Sequence, residues 1–328
     1  MIKLLNRKRK SNRVDLSFVI ISYNMAREIP RTVLSLARHY QRGSDDINYE
    51  VIVIDNGSRQ PPNLDSVGDI GVSVDLFRLQ KRSASPAAAI NFGVAKTSGK
   101  QVAIIIDGAR MLSPGIVRKA FEARHLADTP LISVLGLHLG PGHQRLTAEE
   151  GYSRSVEDRL LDSIDWPNNG YRLFEISSWG GSSACGWLGP IGESNCIILP
   201  KELFSALGGY DEAFVMPGGG LVNLDFYKRA VETPGVQSIY LFGEGCFHQM
   251  HGGVTTGSSE KGCTFEELNK EYIELRGKAF APPKVAPLLY GEASGCLAPV
   301  MLQAVETVMK RHNISTAADY CRPFMDST

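Results

Sequence analysis

The chain has 328 residues, of which 43% are hydrophobic, enough to bury the core of one large domain or one domain with an appendage. Its 35 Lys and Arg balance its 35 Asp and Glu, so no net charge attracts nucleic acid or an acidic membrane. No apolar stretch is typical of a signal peptide or a membrane span. Six scattered cysteines without C-x-x-C spacing indicate reduced thiols, and we expect a cytoplasmic protein.

The exception to this even charge distribution is the basic arm, residues 1–14, which contains six Lys and Arg: Lys3, Arg7, Lys8, Arg9, Lys10 and Arg13. No apolar stretch follows it, which argues against a signal peptide. We expect a flexible, solvated arm. At most, it makes peripheral contact with anionic lipid at the inner face of the membrane.

Three short apolar runs in the first third of the chain each end in polar residues. They cover 16–22, 49–55 and 102–107, and the last one stops at Asp107, followed by Gly108 and Ala109. Such runs are typical of buried parallel strands, whose carboxyl ends open onto the crevice where α/β sheets bind ligands. Asp107 is therefore the first candidate for a functional residue. The alternative is that Asp107-Gly108 is only a turn that ends the strand.

Helical patterns lie between and after these strands. One begins near Ile29, with Pro30 in its first turn, and Ser85-Pro86 opens another over small residues that Ser98-Gly99 ends. An amphipathic helix is predicted from Phe265 to Arg276 and a final one from about Pro299 to Lys310. Residues 72–79 predict a strand towards the edge. The order strand, helix, strand indicates a βαβ unit in a parallel sheet.

Five segments in order now resemble family-2 glycosyltransferases. They are Val19-Ile-Ile-Ser-Tyr-Asn24, Val53-Ile-Asp-Asn-Gly-Ser58, Asn91-x-Gly-x-Ala-x-x-x-Gly99, Ile106-Asp107 and Leu207-Gly-Gly-Tyr-Asp-Glu212. The resemblance implies an α/β GT-A fold: a Rossmann-like, mainly parallel sheet flanked by helices, with an acceptor-side region and a C-terminal helical extension. It divides the chain into the arm at 1–14, a glycosyltransferase domain at 15–253 and an extension with a lid loop at 254–328. Within the domain, the nucleotide half covers about 15–112 and the acceptor half about 113–253.

The resemblance also implies how a nucleotide-sugar donor binds. The turns after the first two strands should contact the nucleobase, and Asp107 should contact the ribose and a divalent metal ion on the diphosphate. Arg276 and Lys278 follow the amphipathic helix and are candidates to reach the diphosphate. The full predicted donor set is Ser22, Tyr23, Asn24, Asp55, Asn56, Asn91, Asp107, Arg276 and Lys278.

The metal site departs from the family pattern, because Ala109 stands where a second aspartate usually binds the ion. Asp107, His248 and His251 are the predicted ligands of Mn²⁺ or Mg²⁺, since imidazole and carboxylate suit Mn²⁺. One alternative is that the two histidines only hydrogen-bond the glycine-rich loop around them. The other is that cationic side chains replace the metal.

The general base departs from the pattern as well. If Arg229 fixes the register, the base position holds Asn223, and an amide has no useful basicity. Asp225 is the nearest carboxylate, and Glu193 is the second candidate. Glu193 follows a glycine- and tryptophan-rich stretch at 179–187, whose aromatic rings either face a sugar or pack in the core.

The predicted function is transfer of a sugar from a nucleoside-diphosphate sugar to a hydroxyl of a glycan or lipid-linked acceptor, in surface glycan or polysaccharide biosynthesis. A second hypothesis is a catalytically inactive nucleotide-sugar-binding protein, which Ala109 and Asn223 favour. A nucleotidyltransferase is the weakest, because no glycine-rich loop with a basic residue follows the first strand. Residues 254–262 have the polar, glycine-containing composition of a lid.

Overall fold

The computed structural model describes residues 2–3, 13–80, 83–251 and 263–315. Most of the predicted basic arm, the whole predicted lid at 254–262, Cys321 and the C-terminal tail therefore lie outside the described residues. Ile2–Lys3 form a short strand that pairs antiparallel with a later edge strand, although we expected a solvated arm.

Strands and helices alternate along the described chain. The strands are β1 (Ile2–Lys3), β2 (Leu16–Ser22), β3 (Tyr49–Asp55), β4 (Ser73–Arg78), β5 (Gln101–Ile105), β6 (Arg110–Leu112), β7 (Thr129–Leu139), β8 (Ser177–Trp179), β9 (Cys196–Pro200), β10 (Val236–His248) and β11 (Leu288–Gly291). The α-helices are α1 (Glu28–Leu34), α2 (Ala87–Ala95), α3 (Ile116–Ala123), α4 (Gln144–Glu149), α5 (Arg154–Asp162), α6 (Lys201–Ala206), α7 (Val222–Val231), α8 (Phe265–Arg276) and α9 (Ala298–Arg311).

These strands form one central sheet in the order β1-β4-β3-β2-β5-β9-β7-β10-β11, with β6 paired to β10 and β8 paired to β7. The ladders β4-β3-β2-β5 and β7-β10-β11 are parallel. Every residue of β2 and β3 is buried, as expected for strands with helices covering the sheet. The α/β architecture with a mainly parallel sheet is thus as the sequence predicts.

Strand β9 is one of the strands that the sequence pattern did not predict. It inserts antiparallel between β5 and β7. Because it runs against its neighbours, its amino end lies at the same sheet edge as the carboxyl ends of β5 and β7. Glu193, Ser194 and Asn195 immediately precede β9 and so arrive at the edge where Asp107 follows β5.

Strand β10 reaches that edge after an irregular stretch. It advances five residues, from Tyr240 to Gly245, while β7 advances two, from Ser133 to Leu135. Gly243 within this bulge has φ 81°, and a Cβ there would meet a backbone oxygen, so glycine is required. Beyond the bulge, His248 pairs with His138 of β7 and with Arg110 of β6.

The C-terminal extension contains the two predicted helices and one strand that was not predicted. Helix α8 has the predicted bounds, with a capping box in which Thr264 and Glu267 satisfy each other's backbone N–H. The segment broken by prolines adds β11 to the sheet, parallel to β10, so the extension is not purely helical. Helix α9 packs on the tryptophan-rich stretch, where the buried Trp179 indole donates to the Val300 carbonyl at 2.7 Å.

The tryptophan rings therefore serve the core. Trp179 and Trp187 are both buried and meet edge to face, with ring centroids 5.0 Å apart. The Trp187 indole donates to the Leu241 carbonyl at 2.9 Å. Within the described ranges, no helix has the length and apolar character needed to cross a bilayer.

Candidate active site

Three side chains converge where β5 and β10 end, and we call them the Asp107 cluster: Asp107, His248 and His251. His248 Nε2 lies 2.8 Å from Asp107 Oδ2, His251 Nε2 lies 3.4 Å from the same oxygen, and the two nitrogens are 3.1 Å apart. The side chain of Asp107 is 25% exposed, whereas those of His248 and His251 are 1% and 8% exposed. The cluster therefore opens to solvent on the carboxylate side.

Gln144 of α4 fixes the tautomer of His248. Its amide nitrogen donates to the carbonyls of His248 and Leu139, at 2.9 and 3.2 Å, which leaves Oε1 to accept the Nδ1–H of His248 at 2.6 Å. A neutral His248 consequently turns the lone pair of Nε2 towards Asp107. Gln144 was not singled out in the sequence, because an isolated glutamine on a short helix carries no recognisable signal.

Burial and the neighbouring charges act in opposite directions on each member of the cluster. Burial lowers the pKa of His248 to about 4, despite the neighbouring Asp107. Burial also acts to lower the pKa of His251, but the charge of Asp107 outweighs it and raises that pKa. Burial acts to raise the pKa of Asp107, but His251 and His248 hold it well below its ordinary range.

This donor set fits a divalent cation. Ligand atoms that bind one ion at about 2.1 Å in adjacent octahedral positions lie about 3 Å apart, and the three separations here bracket that value. Two imidazoles and one carboxylate suit Mn²⁺ better than Mg²⁺, which prefers oxygen ligands. The Nδ1–H bond from His248 to Gln144 is the outer contact that metal-binding histidines usually make.

Glu193 lies at the same edge and is held by Asn223. Asn223 Nδ2 donates to Glu193 Oε2 at 2.6 Å and to the Ser194 carbonyl at 3.3 Å. Tyr210 donates its hydroxyl proton to Asn223 Oδ1 at 3.2 Å, which fixes the amide. No hydrogen bond to Glu193 Oε1 is found within the described part of the chain. A carboxylate is therefore present beside position 223, contributed by a different element.

The predicted nucleobase turns lie at the carboxyl ends of β2 and β3, where Ser22 and Asp55 are paired in register. Both are fully buried, and Asn56 is 4% exposed. Ser22 Oγ, Asp55 Oδ2 and Asn56 Oδ1 are buried without a hydrogen-bond partner, although Arg78 Nε approaches Asp55 Oδ2 at 3.5 Å. Buried polar atoms usually have partners, so this group is suited to pair with a ligand.

Comparison with known proteins identifies the first part of the chain. Residues 17–115 match the sequence model described as Glycosyl transferase family 2. The chain is therefore similar to glycosyltransferase family 2 over this segment. No curated protein sequence matches the chain significantly.

The chain is also similar to solved structures. S. aureus TarS 1–349 in complex with UDP-GlcNAc has a TM-score of 0.52 and 13% identity, over 79% of this chain and 67% of that one. For TarS 1–349 without ligand, the TM-score is 0.45 at 14% identity, over 72% of this chain but only 60% of that chain. The mannosyltransferase PcManGT from Pyrobaculum calidifontis, in complex with GDP-Man and Mn²⁺, has a TM-score of 0.47 at 12% identity, over 97% and 80%.

At these identities the structural similarity shows the fold alone. The evidence for the fold is the comparison with the UDP-GlcNAc complex, which has a TM-score of 0.52. Together with the family match, it establishes a GT-A glycosyltransferase fold. The matched segment ends at residue 115 and so contains Asp107, whereas both histidines lie beyond it.

Ala109 is fully buried in the hydrophobic core, and its hydrogen bonds are made by its backbone. Its N–H donates to Asp107 Oδ1 at 3.1 Å, and its carbonyl accepts from Gln249 N at 2.7 Å. Position 109 therefore orients Asp107 through the main chain, and His251 contributes the third donor atom of the cluster.

A second charged group, the Asp225 cluster, contains Asp211, Asp225, Arg229 and Arg276. Arg276 holds both oxygens of Asp225, at 2.7 and 2.9 Å, and also Asp211 at 2.8 Å. Arg229 Nε donates to Asp225 Oδ2 at 2.8 Å. Asp225 is 1% exposed, so both predicted roles, base for Asp225 and diphosphate contact for Arg276, need these ion pairs to open.

The remaining predicted donor residues are placed less directly. Asn91 holds the turn after α6, donating to the Tyr210 carbonyl and to Glu212, both at 2.9 Å. Asn24 accepts from Arg59 N at 3.0 Å and has φ 54° in the turn after β2, next to Tyr23. Lys278 is exposed after the end of α8. Within the described ranges, no hydrogen bond or ion pair joins Asn91, Arg276 or Lys278 to the Asp107 cluster.

Proposed function

We propose that this protein transfers a glycosyl group, such as a hexose, from a nucleoside-diphosphate sugar to a hydroxyl acceptor. The observation that carries the proposal is the convergence of Asp107, His248 and His251 on one point of the sheet edge. That point lies next to the buried acceptors at the ends of β2 and β3, and the family 2 segment includes Asp107.

In this proposal Asp107, His248 and His251 hold a divalent ion, for which Mn²⁺ is the better fit. When bound, such an ion supplies positive charge that stabilises the departing nucleoside diphosphate. The chain's part is to present the carboxylate of Asp107, oriented by Ala109 N–H, and the Nε2 lone pair of His248, oriented by Gln144.

Glu193 is the general base in this proposal, and Asn223 positions it. The amide of Asn223 holds Oε2, so Oε1 is left to take the proton of the acceptor hydroxyl as its oxygen attacks the sugar. Glu193 is favoured over Asp225, because two arginines already occupy the carboxylate of Asp225. In this proposal Asn223 stays in the site as a hydrogen-bond donor to Glu193, and it does not act as the base.

The acceptor in this proposal is a hydroxyl of a glycan or lipid-linked carrier, in the biosynthesis of a surface glycan or polysaccharide. The donor's nucleobase pairs with Ser22, Asp55 and Asn56, each of which has one buried polar atom without a hydrogen-bond partner. An acceptor hydroxyl must reach Glu193, which is partly exposed beside Asn223.

The test is a calorimetric titration with UDP, GDP, CDP and dTDP, each with and without Mn²⁺. We expect one nucleotide to bind, with Mn²⁺ increasing its affinity, and His251→Gln to lower the Mn²⁺-dependent affinity about tenfold or more. The matched control is His143→Gln: His143 packs on His138 with ring centroids 4.7 Å apart and lies outside the Asp107 cluster. It should leave the affinity unchanged.

Two results would overturn parts of this proposal. Binding of no nucleotide would exclude a nucleotide-sugar glycosyltransferase. Binding that neither Mn²⁺ nor His251→Gln alters would exclude the metal site but keep the donor cradle.

The inactive nucleotide-sugar-binding protein remains the second candidate, because Ala109 and Asn223 replace two residues on which the family commonly relies. Release of nucleoside diphosphate from a panel of nucleotide sugars and hydroxyl acceptors separates the two. Turnover that Asp107→Ala abolishes excludes the inactive binder, and donor binding without turnover supports it.

A further inference from the structure

Arg110, the first residue of β6, is a buried cation without a carboxylate partner. Arg110 is 8% exposed, and its Nε has no hydrogen-bond partner. In the described parts of the chain, no Asp or Glu lies within ion-pair distance of it. Removing a guanidinium from water is unfavourable unless an anion compensates it, so this position indicates a missing negative partner.

The nitrogen atoms around Arg110 converge on a small space above Gly136 of β7. A Cβ added at Gly136 would lie 3.6 Å from Arg110 Nη1, 3.6 Å from Asn195 Nδ2 and 4.0 Å from Cys246 Sγ. Glycine therefore leaves a space that two hydrogen-bond donors face. A guanidinium and an amide N–H₂ around one space are suited to the oxygen atoms of a carboxylate or phosphate.

The groups packed around Arg110 do not supply the missing charge. The carboxylate of Asp107 is already held by the two histidines of its cluster. Asp107 therefore does not act as the ion-pair partner of Arg110.

We propose that Arg110 and Asn195 form a subsite for an oxyanion, a carboxylate or phosphate group of the substrates. Arg110 pairs in register with His248, which places this subsite beside the Asp107 cluster. The inference deepens the proposed function and rests on it for the identity of the ligand. The anion comes either from the donor's diphosphate or from an acidic group on the transferred sugar or the acceptor.

Two variants test the subsite. Arg110→Met removes the charge with little change in side-chain length. Gly136→Ala fills the space with a methyl group at ordinary van der Waals distances, so it should fold normally and exclude the anion. Arg124→Met is the control, since Arg124 lies after α3 with its guanidinium over the Phe121 ring.

The first measurement is thermal unfolding with inorganic phosphate or glucuronate as the probe. Both anions should raise the Tm of the wild-type protein and of Arg124→Met, but not that of Arg110→Met or Gly136→Ala. Without anion, Arg110→Met should unfold at the same temperature as the wild type or higher, because it removes an unpaired buried charge.

The second measurement identifies the source of the anion by calorimetry with UDP and GDP in the presence of Mn²⁺. If the anion is the diphosphate, both subsite variants lose nucleotide affinity about tenfold or more. If it belongs to the sugar or the acceptor, nucleotide affinity is kept and glucuronate or phosphate no longer binds the nucleotide-saturated variants.

Unchanged responses of both variants to nucleotide, phosphate and glucuronate would overturn the subsite. If the wild-type protein binds no nucleotide but phosphate still stabilises it through Arg110, the proposed function fails and the oxyanion subsite stands.

Discussion

The Asp107 cluster and the Asp225 cluster are both groups of ionisable side chains near the sheet, and they differ in how their charges are balanced. In the Asp225 cluster two arginines face two aspartates, and each nitrogen–oxygen contact is 2.7 to 2.9 Å long. In the Asp107 cluster one carboxylate and two imidazoles face one another, and no arginine or lysine is paired with the carboxylate among the described residues. The first group is complete within the chain, whereas the second has capacity for a bound cation.

The difference separates stability from function. A self-compensated cluster stabilises the fold, and its loss is seen in unfolding. A cluster of converging acceptors contributes little to folding by itself. Its favourable interactions form when a ligand binds. Substitutions in the Asp225 cluster should therefore lower the stability of the protein, and substitutions in the Asp107 cluster should lower ligand binding and activity.

The largest effect is expected for Asp107→Asn. An amide oxygen is a weak ligand, so transfer should fall about 10³-fold, since a bound cation supplies several kcal/mol of charge stabilisation. Thermal unfolding should change little without metal. Steady-state rates with and without Mn²⁺, together with the Tm of the apo protein, measure both effects. If Asp107→Asn instead lowers the Tm of the apo protein strongly and keeps a metal-dependent rate, the Asp107 cluster stabilises the fold as the Asp225 cluster does, and the contrast is wrong.

The second prediction concerns the base. Glu193→Gln should lower kcat about 10²- to 10³-fold while donor affinity is kept, because the amide retains the shape and loses the basicity. Asp225→Asn is the matched comparison, and it should lower stability more than kcat. A kcat that falls with Asp225→Asn and not with Glu193→Gln would return the base to Asp225.

The third prediction concerns Arg276, which the sequence placed at the diphosphate. Arg276→Met should destabilise the protein by about 2 kcal/mol, because it leaves the buried Asp225 with one arginine instead of two. Urea unfolding measures this loss, and nucleotide titration provides the second readout. A drop in nucleotide affinity at unchanged stability would support the diphosphate role instead. Lys278→Met is the control, since Lys278 is exposed after α8.

The smallest effect is expected for Asn223→Asp, which places a second carboxylate beside Glu193. Asn223 Nδ2 lies 2.6 Å from Glu193 Oε2, so the variant places two carboxyl groups within contact distance. Two such groups do not both ionise easily, and the acidic limb of the pH–rate profile should move to higher pH by about one unit. An unshifted profile would mean that Glu193 does not titrate in the reaction.

The sequence predicted the elements whose signals are local. The apolar runs of β2, β3 and β5 and the bounds of α8 follow from burial and capping, which neighbouring residues determine. Asp107 and the two histidines were found because polar residues at strand ends and a family resemblance both marked them. Their separation in sequence, from 107 to 248, still required the fold to bring them together.

The remaining features depend on packing that no local pattern encodes. A short apolar run does not reveal its direction in a sheet, so the antiparallel insertion of β9, and with it the meeting of Glu193 and Asn223, was not predicted. The pairing of Arg276 with Asp225 joins two helices whose paired residues are 51 positions apart in the sequence. Arg110 was overlooked, although a single charge between Ala109 and Met111 in an apolar stretch was a usable signal.

The number of residues in the β10 bulge is as important for the position of His248 as the identity of those residues. Side chains alternate between the two faces of a strand, so the length of the stretch between Tyr240 and Gly245 decides which face His248 occupies. Deleting one residue there would bring Gln249 into register with His138 and turn His248 to the opposite face. A metal ligand can thus be gained or lost in descent through a single-codon insertion or deletion that alters no ligand residue.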